Sequence, residues 1–230
     1  MKNFRLGLFG KKYKDTIINL DNFITGESNF AKHIQKKLGG IYNIKRSFIK
    51  DIDFEIFEEG EVDVLIINEI EKSIRSSILN DPISYEELHI SSKIDFLHVC
   101  YIDDVHTLDF IDFEKNKVSV DFCTLKNRID YLDVLKKCEL IFDSRERKFL
   151  YKDVLISTPI ILHDENGCEC IINGKKVSES KIVPEKGIVK NGAGDIFAGI
   201  FLKKYFYKNI QTAINETANE TKEYLLTYEI

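Results

Sequence analysis

The stretch KNGAGDIFAGIFL, Lys190 to Leu202, decides how the rest of the chain is read. Gly192, Ala193 and Gly194 leave the backbone nearly bare, and Asp195 follows at once. Ile196, Phe197, Ile200 and Phe201 then recur with the spacing of one buried helix face. A helix N-terminus carries unpaired N–H groups and about half a positive elementary charge, and glycines let an anion approach them closely. Asp195 gains nothing by binding a phosphate, since like charges repel; it is better suited to accept a proton from a hydroxyl that attacks one. The pattern points to phosphoryl transfer onto an alcohol. The plainer alternative is a tight helix start with a first-turn acid favoured by the dipole.

The 230 residues, 43% hydrophobic and 31% charged, suffice for one core, and a single domain over 1–230 is expected. The net charge of -5, with lysines interleaved among acids, argues against nucleic-acid and membrane-surface partners, which favour a concentrated positive field. No stretch approaches the roughly 20 apolar residues of a membrane span, and the start MKNFRLGLFGKKYKD has too short an apolar run for a signal peptide; a cytoplasmic protein is expected. Cys100, Cys123, Cys138, Cys168 and Cys170 are odd in number and lack C-x-x-C spacing, which indicates neither a disulfide framework nor a zinc site.

Short apolar runs alternate with helical patterns, the signature of an α/β sheet. FRLGLFG, IDFLHVCY, KVSVDF, ELIFDS and PIILHD read as strands. LKNRIDYLDVLKKC, with Leu125, Ile129, Leu132 and Leu135 on one face, and RERKFLYKDVL read as crossover helices. Asn173-Gly174 in CECIINGKKVS is a two-residue hairpin signal, and everything after Gly192 reads as two helices. From about Asn43 to Asn80, β-prone runs interrupted by Glu58-Glu59-Gly60 predict a small strand element projecting from the sheet.

With these features in place, the chain resembles the ribokinase-like (PfkB) carbohydrate kinase family, whose C-terminal signature reads Asp-Thr-x-Gly-Ala-Gly-Asp-x-Phe-x-x-Gly. The matching stretch is VKNGAGDIFAG, with Phe197 and Gly199 also in place. The resemblance implies that Asp195 is the catalytic base and that the amides of Gly192, Ala193 and Gly194 form the anion hole. In LGGIYN, Gly39, Gly40 and Asn43 look like the family's Gly-Gly-x-x-Asn that approaches the sugar, and Asp15 stands where an aspartate binds sugar hydroxyls. DSRE supplies Asp143 and Glu146 in place of an Asn-x-x-Glu that organises magnesium and phosphate through water, so Glu146 is implied as an indirect Mg2+ ligand. Gly167 and Asn191 are grouped with them on the ATP side.

Two departures stand out. Val189 and Lys190 replace the Asp-Thr pair, whose aspartate helps form a monovalent-cation site, and this makes such a site doubtful. In LHDENG, Leu162 and Asp164 replace the threonine and first glycine of the ATP-side Thr-x-Gly-x-x-Gly, which puts a negative charge where a phosphate would run. The resemblance implies a three-layer αβα sandwich with a central, mostly parallel sheet and a reduced β-lid over about 43–80. It also implies transfer of the ATP γ-phosphate to a small sugar or sugar derivative with Mg2+, and a homodimer through the lid. Two alternatives stay open: an inactive pseudokinase that binds or regulates, and a nucleoside or vitamin-precursor kinase of the same fold.

Overall fold

The computed structural model describes residues 4–48, 52–69, 72–79, 94–105, 108–185 and 191–227. Val189 and Lys190 lie outside them. The chain runs β1 (Arg5–Asn19), β2 (His33–Gly40), α1 (Ile41–Ser47), β3 (Asp53–Glu69), β4 (Lys72–Leu79), β5 (Phe96–Cys100), β6 (Lys117–Asp121), α2 (Leu132–Leu135), β7 (Leu140–Ser144), β8 (Ile160–Asp164), β9 (Gly167–Ile172), β10 (Lys175–Lys181), α3 (Ala193–Tyr207) and α4 (Ile210–Thr227).

The sheet order is β10-β9-β8-β7-β6-β5-β1-β3-β4, with β2 attached to β1. From β3 through β1, β5, β6 and β7 to β8 every pairing is parallel. All five residues of β5 are buried, as expected of a parallel strand covered on both faces. On one face Leu8, Phe96, Phe142 and Ile161 meet Phe197, Phe201 and Leu202 of α3 together with Ala213 and Ile214 of α4. On the other, Leu97, Val99, Val118, Val120 and Ile141 meet Leu135, Tyr151 and Val154. Each fully buried side chain of this size stabilises by roughly 1.5–3 kcal/mol. The hairpin at Asn173-Gly174 forms as its sequence requires, with φ of 50° and 71°, the left-handed pair of a type I′ turn.

The second outer layer is thinner than the periodicity suggests. LKNRIDYLDVLKKC forms a 3₁₀ turn, Arg128–Tyr131, running into the one-turn α2; Leu125 and Ile129 are exposed and Leu135 alone of the four is fully buried. The cause is Arg128, whose wholly buried guanidinium pairs with Asp143 at 2.8 Å and takes the inward position that the apolar spacing assigns to its neighbours. RERKFLY is likewise a 3₁₀ turn, Arg145–Tyr151.

The lid also differs from the range read in the sequence. Residues 41–47 are not lid but a helix packed on α3. The projecting sheet is made of the distal halves of β1 and β3, with β2 and β4 added antiparallel; β1 passes from core to lid at an irregularity between Gly10 and Lys12. The lid strands in 12–19 and 33–40 were not read from the sequence because Lys12, Lys14, Lys36 and Lys37 break the apolar pattern there. No helix among the described residues is long and apolar enough to cross a membrane.

Candidate active site

The carboxyl ends of the parallel strands converge beside the N-terminus of α3, the location at which open α/β sheets bind ligands. Tyr101 follows β5, Asp121 ends β6, Ser144 ends β7, and His163 and Asp164 end β8; with Gly192, Ala193, Gly194 and Asp195 they line a cavity of about 400 Å³. Ile182, Pro184, Ala218 and Leu225 give its outer end an apolar wall.

Asp195 is the first-turn acid of α3 and is only 4% exposed. Its Oδ2 accepts a hydrogen bond from Asn43 Nδ2 at 2.7 Å, and its Oδ1 accepts one from the Tyr101 hydroxyl at 2.5 Å. Cys100 Sγ, 3.8 Å from Oδ1, is a weaker third donor. The carboxylate is therefore oriented from both sides, a requirement for a group that must meet a proton at a fixed point. Gly192 caps the helix in the left-handed conformation, φ 80°, and a side chain there would collide with the Asn43 amide. Asn43, on α1, which follows directly on the Gly39-Gly40 end of β2, is thus brought against the glycine loop.

Asp15 lies on the distal half of β1, is 6% exposed, and pairs in register with Lys37 of β2; Gly39 and Gly40 pair with Tyr13 and Lys12. Of these lid-side residues Asn43 reaches Asp195 and Gly39 abuts Asp15, while Asp15, Gly39, Gly40 and Asn43 do not line the cavity.

The nucleotide-side group is brought together only in part. Glu146 lines the cavity, with no ion pair among the described residues. Asp143 does not line it. Fully buried, it accepts from Arg128 Nε at 2.9 Å, Arg147 Nε at 2.5 Å, the Tyr151 hydroxyl at 2.8 Å and Ser144 N at 2.7 Å, and these bonds leave it no freedom to address phosphate or metal. Gly167 is also turned away; its φ of 130° and its contact with the Ser180 carbonyl, into which any Cβ would run, make it a packing residue of the β8–β9 turn. Asn191 donates to Asn68 Oδ1 at 2.8 Å, and Asn68 in turn donates to Asn19 Oδ1 at 3.1 Å, so this amide holds the glycine loop to the lid.

Three features were not found by sequence reasoning. Tyr101 carries no motif around it. Arg147 reaches the cavity wall, anchored to Asp143 and to the Phe122 carbonyl at 2.8 Å; its one sequence signal is its place directly after DSRE. Asp164, the acid that replaces a glycine, is paired with Arg145 at 3.3 Å, so its charge is compensated within the protein. His163 stacks on Phe197 with ring centroids 4.4 Å apart, and burial, reinforced by Arg147, pushes its imidazole down to about 4. It is neutral at physiological pH. Burial and the nearby Asp195 and Asp143 hold the Asp121 carboxyl well above the usual range. Among the described residues no group of three or more His, Cys, Asp or Glu could hold a metal ion directly.

No protein-family model matches the sequence, and no curated protein matches it either. Solved structures do. A ribokinase from Thermotoga maritima superposes with a TM-score of 0.61 at 15% identity, covering 95% of this chain and 92% of that one. Arabidopsis thaliana ribokinase, complexed with ribose and ATP, gives 0.66 at 11% identity over 96% and 92%. Burkholderia thailandensis nucleoside kinase, in complex with inosine, gives 0.66 at 11% over 94% and 90%. With its strand lid, its mostly parallel central sheet and its helix-covered faces, this chain has the ribokinase-like fold.

Proposed function

We propose that this protein transfers the γ-phosphate of ATP to a hydroxyl of a small sugar or sugar derivative. The observation that carries the reading is the placement of Asp195: buried, oriented by Asn43 and Tyr101, and lining the cavity at the α3 N-terminus. The acceptor hydroxyl lies between Asp15 and Asp195, and Asp195 takes its proton as the oxygen attacks the γ-phosphorus. The bond from that phosphorus to the β,γ-bridging oxygen breaks, and ADP leaves. The amides of Gly192, Ala193 and Gly194 at the α3 N-terminus stabilise the negative charge on the transferring group. Arg147 adds a fixed positive charge on the same wall.

Magnesium would be held indirectly, with Glu146 as the carboxylate on the protein side. Glu146 faces the cavity as an exposed carboxylate, and a Mg2+ ion there would take most of its ligands from phosphates and water. Such an ion, when bound, screens the phosphate charge. Asp143 supports the site through Arg147 rather than as a ligand.

The Arg145–Asp164 pair favours this reading over an inactive pseudokinase, because it removes the unpaired negative charge that would otherwise oppose ATP. The test is calorimetric titration with Mg-ATP, together with incubation with ATP and a pooled panel of sugars, sugar acids, sugar phosphates and nucleosides, read by product mass. Mg-ATP binding and a phosphorylated product support the kinase; absence of both overturns it.

A further inference from the structure

The inner face of the lid carries a charge arrangement that the transfer chemistry does not require. On β1 the buried residues Tyr13, Asp15 and Ile17 alternate with outward ones. Their partners on β3, Val62, Val64 and Ile66, are also buried, which identifies this as the face turned to the site. Lys37 is the register partner of Asp15 and shares that face, half-buried. Arg46, on the exposed side of α1, reaches over to donate to the Leu38 carbonyl and to Asn43 Oδ1. Both contacts are to neutral oxygens.

Neither cation has a carboxylate within ion-pair distance among the described residues, whereas the neighbouring lid lysines Lys12 and Lys14 are both matched by Glu61. Burial and the Arg46 charge push the Lys37 ammonium down, while Asp15 and Asp195 act in the opposite sense. Lys37 is thus within electrostatic reach of Arg46 and of both carboxylates. The half-buried Lys37 ammonium beside the exposed Arg46 guanidinium is disfavoured by burial and by repulsion in the empty protein, and an anion between them relieves both.

We infer that the acceptor carries an anionic substituent, a carboxylate or a phosphate ester, which seats between the Lys37 ammonium and the Arg46 guanidinium while its hydroxyl faces Asp195. This rests on the kinase reading and narrows its substrate class. Arg46 offers a planar fork suited to either oxyanion, and Lys37 a point charge. The two cations offset the repulsion that Asp15 and Asp195 would exert on such a ligand.

The test uses the full chain and matched probes: aldoses, the corresponding aldonates and the corresponding sugar phosphates. Binding is measured by calorimetry and phosphorylation by product mass, in wild type, Lys37→Gln and Arg46→Gln. The expected result is that one anionic class binds at least roughly tenfold tighter than its neutral counterpart, with Lys37→Gln weakening the anion by about 10- to 100-fold and erasing the difference. The class that wins distinguishes carboxylate from phosphate. Phosphorylation of neutral aldoses in preference to both anions overturns the inference and leaves the kinase standing. Lys37-dependent binding of an anionic sugar without phosphorylation overturns the kinase and leaves the anion site. An anion preference that survives both variants, or no binding by any probe, overturns the inference.

Discussion

Asn43 Nδ2 lies 2.7 Å from Asp195 Oδ2, joining a helix entered from the lid to the glycine-loop helix across 152 residues of sequence. Arg46 can only donate, so Asn43 must offer it the carbonyl oxygen and turn its amide hydrogens to Asp195. The network thereby fixes both the orientation and the hydrogen bonding of the proposed base. Asn43→Asp places a second carboxylate against Asp195 and disfavours ionisation of the pair. A base whose pKa is raised is active only at higher pH. The expected outcome is a loss of roughly 10²-fold in kcat at neutral pH, partly recovered in alkali, with the acidic limb of the pH–rate profile displaced upward.

Two glycines of the same loop are expected to differ. Gly192 has φ 80° and its missing side chain makes room for Asn43, whereas a Cβ on Gly194 would meet the His163 ring, Cε1 at 3.2 Å and Nε2 at 3.8 Å. Gly192→Ala should cost roughly 1–3 kcal/mol and displace Asn43, lowering both Tm and kcat. Gly194→Ala should leave Tm nearly unchanged. Thermal unfolding of the two variants checks the contrast.

The Arg145–Asp164 pair should behave as a unit. Arg145→Met leaves Asp164 uncompensated beside the cavity and is expected to weaken Mg-ATP binding roughly tenfold. Arg145→Met with Asp164→Gly removes the offending charge as well and should recover most of that loss. Titration of wild type, both single variants and the double variant measures the coupling directly.

What could be read in the sequence was what is local. The glycine loop, its acid and the following helix occupy one continuous stretch, and the Asn173-Gly174 hairpin needs only two residues to declare itself. What escaped depends on distant partners. Asp143 sits at a motif position, yet Arg128 and Arg147 convert it into a buried hub. Tyr101 is distinguished only by where β5 delivers it. The lid half of β3 was legible as a β-prone run, whereas the lid half of β1 and all of β2 were not, because Lys12, Lys14, Lys36 and Lys37 leave them few apolar residues.

Acid should destabilise the fold through two buried neutral histidines. Burial pushes His98 down to about 3 and His163 to about 4, while in the unfolded chain both take up protons near the ordinary value of about 6.5. Above about 6.5 neither state binds the proton and no stability is lost. As pH falls from there toward 4 the unfolded state gains protons first, and each histidine lowers stability by at most about 1.4 kcal/mol per pH unit. His163→Phe keeps the stack on Phe197 and removes the titration. Its Tm should fall less steeply than that of wild type between about pH 6.5 and 4, a comparison that scanning calorimetry provides.

The central claim is that Asp195 is the base of a phosphoryl transfer. The most direct measurement is the rate of ATP-dependent product formation by Asp195→Asn beside wild type, with Mg-ATP affinity and Tm measured on the same preparations. Asparagine keeps the size of the side chain and can neither be ionised nor take the proton, so turnover should fall by about 10²–10⁴-fold with ATP binding and folding retained. Turnover equal to that of wild type in a folded Asp195→Asn protein would contradict the assignment.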